Sequence, residues 1–296
     1  MLTKLIIIGI IIVLLGVYSC TSYKPINKTT SDNFYFNFFK TTIHYIPMGN
    51  WFELGNNTLD GIDIQTVEIL SRNHLKDKSQ VYFKSSKIKN ADASSFRMLC
   101  SNNDYFARDK NMIYYENNSF ENLDIHSVTF LGDTCGSVLK DKHHVYSIRM
   151  EAIKNGIISP IKNADPETYQ VLTDLYGKDN IIVYYKGLPI ADADANTFTL
   201  IGEYYAKDIH TIYYQGLQVR SVDAITFQLI DGGGYTKDRN NVYYGLDAVM
   251  DKDQQVLYYV GKVVAGADAG AFTMIKGEKV DYAKDTTSYY WGGIKQ

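Results

Sequence analysis

The feature that most constrains this chain is a string that keeps returning, seen clearly in Lys178-Asp-Asn-Ile-Ile-Val-Tyr-Tyr-Lys-Gly187. Related strings start at Lys76, Arg108, Lys140, Lys207, Lys237, Lys252 and Lys284. Each is Lys/Arg-Asp, a few variable residues, an apolar residue and then Tyr-Tyr or a relative. A second motif, an Asp, falls sixteen residues after the basic residue in most copies: Asp92, Asp124, Asp194, Asp223 and Asp268. Asp165 is displaced by an insertion around residues 149–160, and Asp63 opens a partial copy with no clear Lys-Asp start. Four residues after each Asp comes a large apolar residue: Phe96, Val128, Tyr169, Phe198, Phe227 or Phe272. Such a period means a tandem array with one supersecondary unit per copy, so length alone does not set a domain count.

Each copy reads as a β-hairpin. Asp179-Asn180 is a turn signal, because short polar side chains bond the nearby backbone. Ile182-Val183-Tyr184-Tyr185 is β-branched and aromatic, a strand composition. Lys186-Gly187 turns the chain, and Leu188-Pro-Ile190 returns. The second motif predicts one short helical turn, with Asp as N-cap and the large apolar residue packed over the core. Pro166, just after Asp165, suits the first position of such a turn. The fold class expected is therefore all-β: hairpins in tandem, one helical turn per repeat, open and solenoid-like rather than a closed propeller. The unit from Lys237 reads as a bare hairpin of fifteen residues before Lys252 restarts the pattern.

The N-terminus carries a different message. Lys4 precedes an apolar run, Leu5 to Gly16, the length of a signal-peptide core and short for a membrane-spanning helix. Val17-Tyr18-Ser19-Cys20 follows and resembles a bacterial lipoprotein signal, which implies cleavage before Cys20 and lipid on its thiol. The expected organisation is a signal peptide over 1–19, a polar tether over 20–32, an atypical cap with a partial repeat over 33–75, and the array over 76–296. The expected partners are a membrane, reached through the lipid, and a surface protein or glycan. A net charge of −3, with basic residues spread one per motif, gives no electrostatic case for nucleic acid. Beyond Cys20, the cysteines are Cys100 and Cys135. A disulfide between them and two free thiols are both compatible with the sequence.

No catalytic, cofactor or metal constellation emerges. Asp192-x-Asp194-x-Asn196, with Glu203 twelfth, has calcium-loop spacing but lacks the sixth-position Gly, and the other copies keep only the second Asp. A cap explains that pattern. His143-His144 is the one His pair and has no neighbouring Cys. Gly232-Gly233-Gly234 lacks the Lys-Ser/Thr of a phosphate loop. Each repeated Lys reads as a solvated residue at a sheet edge. Of the 25 Tyr, most sit in the repeated pairs. Alternation groups Tyr185 with Val183 as core and turns Tyr184 outward or toward a neighbouring unit. Core and interstrand packing accounts for such pairs, since strands favour Tyr; the alternative is an outward ladder of Tyr184, Tyr213 and Tyr243, the candidate ligand-binding residues for a glycan.

The repeated Lys-Asp-x-x-x-Val-Tyr-Tyr, with Asp-Arg-Asn-Asn-Val-Tyr-Tyr at 238–244 the nearest form, resembles the DKNYY family of bacterial repeat proteins over about residues 59–296. The resemblance implies a repeat architecture and an envelope location, and no particular activity.

Overall fold

The computed structural model describes residues 24–37, 39–47, 57–100, 104–132, 138–148, 153–154, 157–230, 234–275 and 282–296. The signal peptide, Cys20, Trp51-Phe52 and Cys135 lie outside them. Among the described residues the structure is all-β, with no α-helix. The chain forms two compact units, residues 1–143 with 148–159 and residues 144–147 with 160–296.

The repeat closes as a four-stranded antiparallel meander. In the copy at Lys178, strands Gln170–Val171, Tyr176–Lys178, Val183–Tyr185 and Leu188–Pro189 lie side by side in chain order. Tyr176 faces Tyr185 and Lys178 faces Val183 across the central pair. The hairpin turn is Lys186-Gly187, with φ of 53° and 78°. Positive φ at both positions matches the twist of the flanking strands, and Gly reaches it without steric cost. In the first unit the same meander is built over Glu68–Lys87 and Arg97–Phe120.

The expected helical turn is not formed. After each repeated Asp the chain makes a single turn, as where the Thr197 N–H bonds Asp194 O (3.2 Å) and the Tyr169 N–H bonds Asp165 O (3.0 Å). The Asp still caps it: Asp194 Oδ1 accepts from the Asn196 N–H at 2.9 Å. One turn is too short to propagate as a helix, because the next strand begins at once.

Two boundaries also move. Residues 24–32, expected as tether, are folded: Lys24–Asn27 pairs with Ser31–Phe36, which continues to Ile43–Tyr45 and Asn57–Thr58. The atypical cap is thus a complete meander, with Ile43-His44-Tyr45 in the place of Val-Tyr-Tyr. Lys252 does not start a repeat. It sits at the tip of a long hairpin, Val242–Met250 with Val256–Val263, where Asp251 Oδ1 accepts from the Gln255 N–H at 2.9 Å. The chain then rejoins the pattern: the Val264 N–H bonds Val242 O, as the Ile190 N–H bonds Val183 O. The units read from Lys237 and Lys252 are therefore one unit with an inserted arm. That arm pairs in parallel with Leu217–Arg220, joining two meanders into an eight-stranded sheet.

The core lies between consecutive meanders. Val183, Ile190 and Phe198 pack with Ala206 and Tyr213 of the following copy. Val81, Ile88, Phe96, Ala107 and Tyr114 repeat the arrangement in the first unit. Volumes compensate from copy to copy. The residue before the motif Lys/Arg is Ala107, Ala206 or Ala283 where the turn supplies Phe96, Phe198 or Phe272, and Leu75 where it supplies Val67. Where the turn supplies Tyr169, the residue is Gly177, and a Cβ there would stand 2.1 Å from the Tyr169 hydroxyl. Interiors are packed too densely to absorb an unmatched methyl group.

Candidate functional site

The repeated polar residues converge on the motif Asp. Asp179 Oδ1 accepts from the N–H groups of Ile181 (2.8 Å) and Ile182 (2.7 Å), which closes the turn after it. Its Oδ2 accepts from the Asp165 N–H (3.2 Å) and the Tyr184 hydroxyl (3.0 Å). The same four donors meet Asp208, through His210, Thr211, Asp194 and Tyr213. Asp109, Asp238 and Asp285 are bonded alike, with Tyr114, Tyr243 and Tyr290 donating their hydroxyls. A buried carboxylate with no partner is costly, and four donors remove that penalty. Burial alone would raise the Asp179 pKa; the Ile182, Ile181 and Asp165 amides and the Tyr184 hydroxyl outweigh it and hold the acid below its ordinary range. Tyr184 is pushed up by burial and by the carboxylate it bonds.

The orientation expected of the Tyr pair is therefore reversed. Tyr184, Tyr213 and Tyr243 are completely buried, and their rings present no outward ladder. Their hydroxyls reach a carboxylate five residues back, and that bond places the first Tyr inward. The second Tyr is half-buried and packs on its cross-strand partner in the same meander: Tyr185 lies 4.9 Å from Tyr176 and Tyr244 4.7 Å from Tyr235, centroid to centroid. A Cβ on Gly216 would come within 2.5 Å of Tyr185 Cβ, so the turn glycine lets the next hairpin close on that residue.

At Lys76, Lys178 and Lys237 the repeated Lys is not a solvated edge residue, whereas Lys284 is exposed. Lys178 Nζ donates to Ala195 O (2.7 Å), Lys237 Nζ to Ala269 O (3.0 Å) and Phe272 O (3.2 Å), and Lys76 Nζ to Phe96 O (3.2 Å). These carbonyls belong to the turn that follows, whereas the Asp holds the turn that precedes. In these three copies one Lys-Asp dipeptide thus fastens both flanking turns.

Asp194, the second acid of the calcium-like spacing, accepts from the Asn196 N–H and from the Thr197 hydroxyl (2.8 Å). Among the described residues no group of three or more His, Cys, Asp or Glu is arranged to hold a metal. His143 and His144 are exposed on a turn. Cys20 lies outside the described residues, as do Gly232 and Gly233. Cys100 is disulfide-bonded.

The model of the DKNYY family matches residues 9–118 and 106–247. The chain belongs to the DKNYY family. The structure supplies the physical content of that string: in the copies at Arg108, Lys178, Lys207, Lys237 and Lys284 the Asp and first Tyr are one hydrogen-bonded pair, whereas Tyr82 of the Lys76 copy donates to Asp60 O and Gln80 Oε1 instead. Neither curated proteins nor solved structures gave a match.

One surface feature of this DKNYY chain escaped the sequence reading. A groove of about 450 Å³ in the second unit is lined by Asp174, Tyr185, Lys186, Glu203, Tyr204 and Gln215, among others. Its signal was a second aromatic doublet, Tyr105-Phe106 and Tyr204-Tyr205, just before the motif's basic residue. The more regular Tyr-Tyr pairs obscure it.

Proposed function

We propose that this chain is a lipid-anchored extracytoplasmic protein whose β-repeat array is a non-catalytic scaffold for interaction at the cell envelope. The observation that carries the reading is the fate of the repeated polar groups. The motif Asp, its Tyr and the Lys residues just described are bonded to one another or to neighbouring turns, and what remains for recognition is surface. The apolar run before Cys20 supports the anchor. The oxidised Cys100 supports an oxidising compartment, because structural disulfides persist there and not in a reducing cytosol. A second reading, recognition of a surface glycan, is favoured by the groove at Tyr185 and Tyr204 in place of the buried first tyrosines.

Mass spectrometry of the mature amino terminus tests the anchor. Lipid on Cys20 is expected, with Cys20→Ser leaving an unprocessed chain. An unmodified Cys20 in the mature protein would remove the lipoprotein reading.

A further inference from the structure

We propose that the groove between the Lys178 and Lys207 hairpins is a saccharide-binding site, and that the equivalent positions of the first unit form a second one. The proposal deepens the interaction reading above and rests on the array being displayed outside the cytoplasm.

The groove has the parts that sugar recognition needs. Tyr204 keeps 39% of its surface exposed at the rim, and the edge of Tyr214, 6.4 Å away, steadies its ring. A half-exposed phenol ring is a platform for the C–H face of a pyranose. Around it stand Asp174 and Glu203, which accept from hydroxyls, Gln215, which both accepts and donates, and Lys186, which donates. The Lys186 ammonium is held 5.4 Å from the Tyr185 ring centroid. Two carboxylates against one ammonium make the groove a poor host for a polyanion. Its polar rim and open form make it equally poor for a wholly apolar ligand. A neutral, hydroxyl-rich ring satisfies both limits.

Part of this chemistry, the ring, the ammonium over an aromatic face and one carboxylate, recurs in the first unit, where Arg72 stands at the place of Asp174 and Glu116 at that of Gln215. In the first unit Lys84 lies 4.8 Å from the Phe83 ring centroid, the counterpart of Lys186 and Tyr185. Tyr105 is 41% exposed, rests 5.8 Å from Tyr115, and follows Asp104, the counterpart of Glu203. At the next interval of the second unit, Tyr259 of the inserted arm sits over Tyr214, the counterpart of Tyr185, at 5.3 Å and 87°. There the chain seats one of its own six-membered rings against the repeated tyrosine.

The test titrates the full, detergent-solubilised chain with chitotetraose, cellotetraose and maltotetraose by calorimetry, with heparin as the polyanion control. At least one neutral tetrasaccharide is expected to bind with a Kd of about 1 mM or tighter. The Tyr105→Ala/Tyr204→Ala pair should weaken it at least tenfold with the melting temperature unchanged. Should that pair disturb folding, Asp104→Asn/Glu203→Gln replaces it, with the same loss expected. Failure of all three sugars to bind, or tighter binding of heparin, overturns the proposal. Sugar binding that survives both variant pairs places the site elsewhere and overturns it too. None of these results touches the anchor, which fails separately on the state of Cys20.

Discussion

His74 occupies the position that Tyr176 holds in the Lys178 copy, and the substitution leaves a flaw that can be measured. Tyr176 uses its hydroxyl twice, donating to Tyr204 O (3.1 Å) and accepting from the Gly216 N–H (3.0 Å). His74 is fully buried against Phe83 and Phe96, and its Nδ1 meets the Ser71 hydroxyl at 3.2 Å. Its Nε2 is buried without a hydrogen-bond partner. Burial lowers its pKa to about 4, against the opposing pull of the Glu116 and Asp104 backbone. The folded pKa is depressed, so the neutral ring is the folded form. As pH falls below the unfolded value of about 6.5, the unfolded chain takes up a proton that the folded one refuses, and stability is lost. Between pH 7.5 and pH 5 that loss amounts to about 2 kcal/mol from this residue alone. His74→Phe, the residue type found at Phe34 and Phe106, removes both the proton site and the orphaned nitrogen. Urea unfolding of wild type and variant, followed by exchange of the Leu75 and Tyr82 amides, isolates the effect, since other titrations cancel in the difference. The variant should gain on the wild type by about 2 kcal/mol more at pH 5 than at pH 7.5. Equal pH dependence in the two chains would refute the reasoning.

Three other outcomes follow from the packing and the motif. Gly177→Ala should destabilise by about 1–3 kcal/mol through overpacking on Tyr169, and adding Tyr169→Phe should recover only part of it, because the ring Cζ is itself 2.6 Å from the added Cβ, as a double-mutant cycle by calorimetry would show. Tyr184→Phe should cost about 1.5–3 kcal/mol in denaturant melts, the range for a hydrogen bond to a charged group, and removing the Tyr185 hydroxyl should cost less. Thermal stability should hold a plateau and fall on both sides. The depressed motif carboxylates keep their contribution above pH of about 4 and lose it in acid, while the raised phenols lose theirs above about 10. A melting temperature that still rises below pH 4 would contradict the carboxylate hub.

The array and its β character were legible because they rest on local chemistry repeated many times: turn residues, β-branched strands, glycine at the hairpin. What could not be read was which polar groups meet. Alternation along Val183-Tyr184-Tyr185 is real, but a meander packed on both sides has no single inward face. The bond from Tyr184 back to Asp179 marks which ring is sequestered, and alternation does not reveal it. The motif Lys misled in the same way, since its acceptor lies in a later turn: Ala195, seventeen residues on. Lys252-Asp253 misled for a different reason. A polar hairpin tip calls for the same residues as a repeat start, and spacing cannot tell them apart. The groove depends on side chains from two successive copies, a juxtaposition that no window of sequence contains.

Two segments interrupt the pattern, and both do so at one spot. In the Lys140 copy, residues 148–158 replace the two-residue turn, and pairing resumes at Tyr146 with Pro160. In the Lys237 copy, residues 245–261 replace it, and pairing resumes at Tyr243 with Val263. The reason lies in the Lys-Asp fastening. Those bonds leave from the opposite end of the hairpin, so lengthening this turn severs none of them. These two copies thus carry a port through which extra chain is admitted while the Asp turns stay fastened. A designer wishing to display a peptide from this scaffold would extend the tip of the arm already present, between Met250 and Val256, and would leave the Asp turns and the Gly216 turn alone.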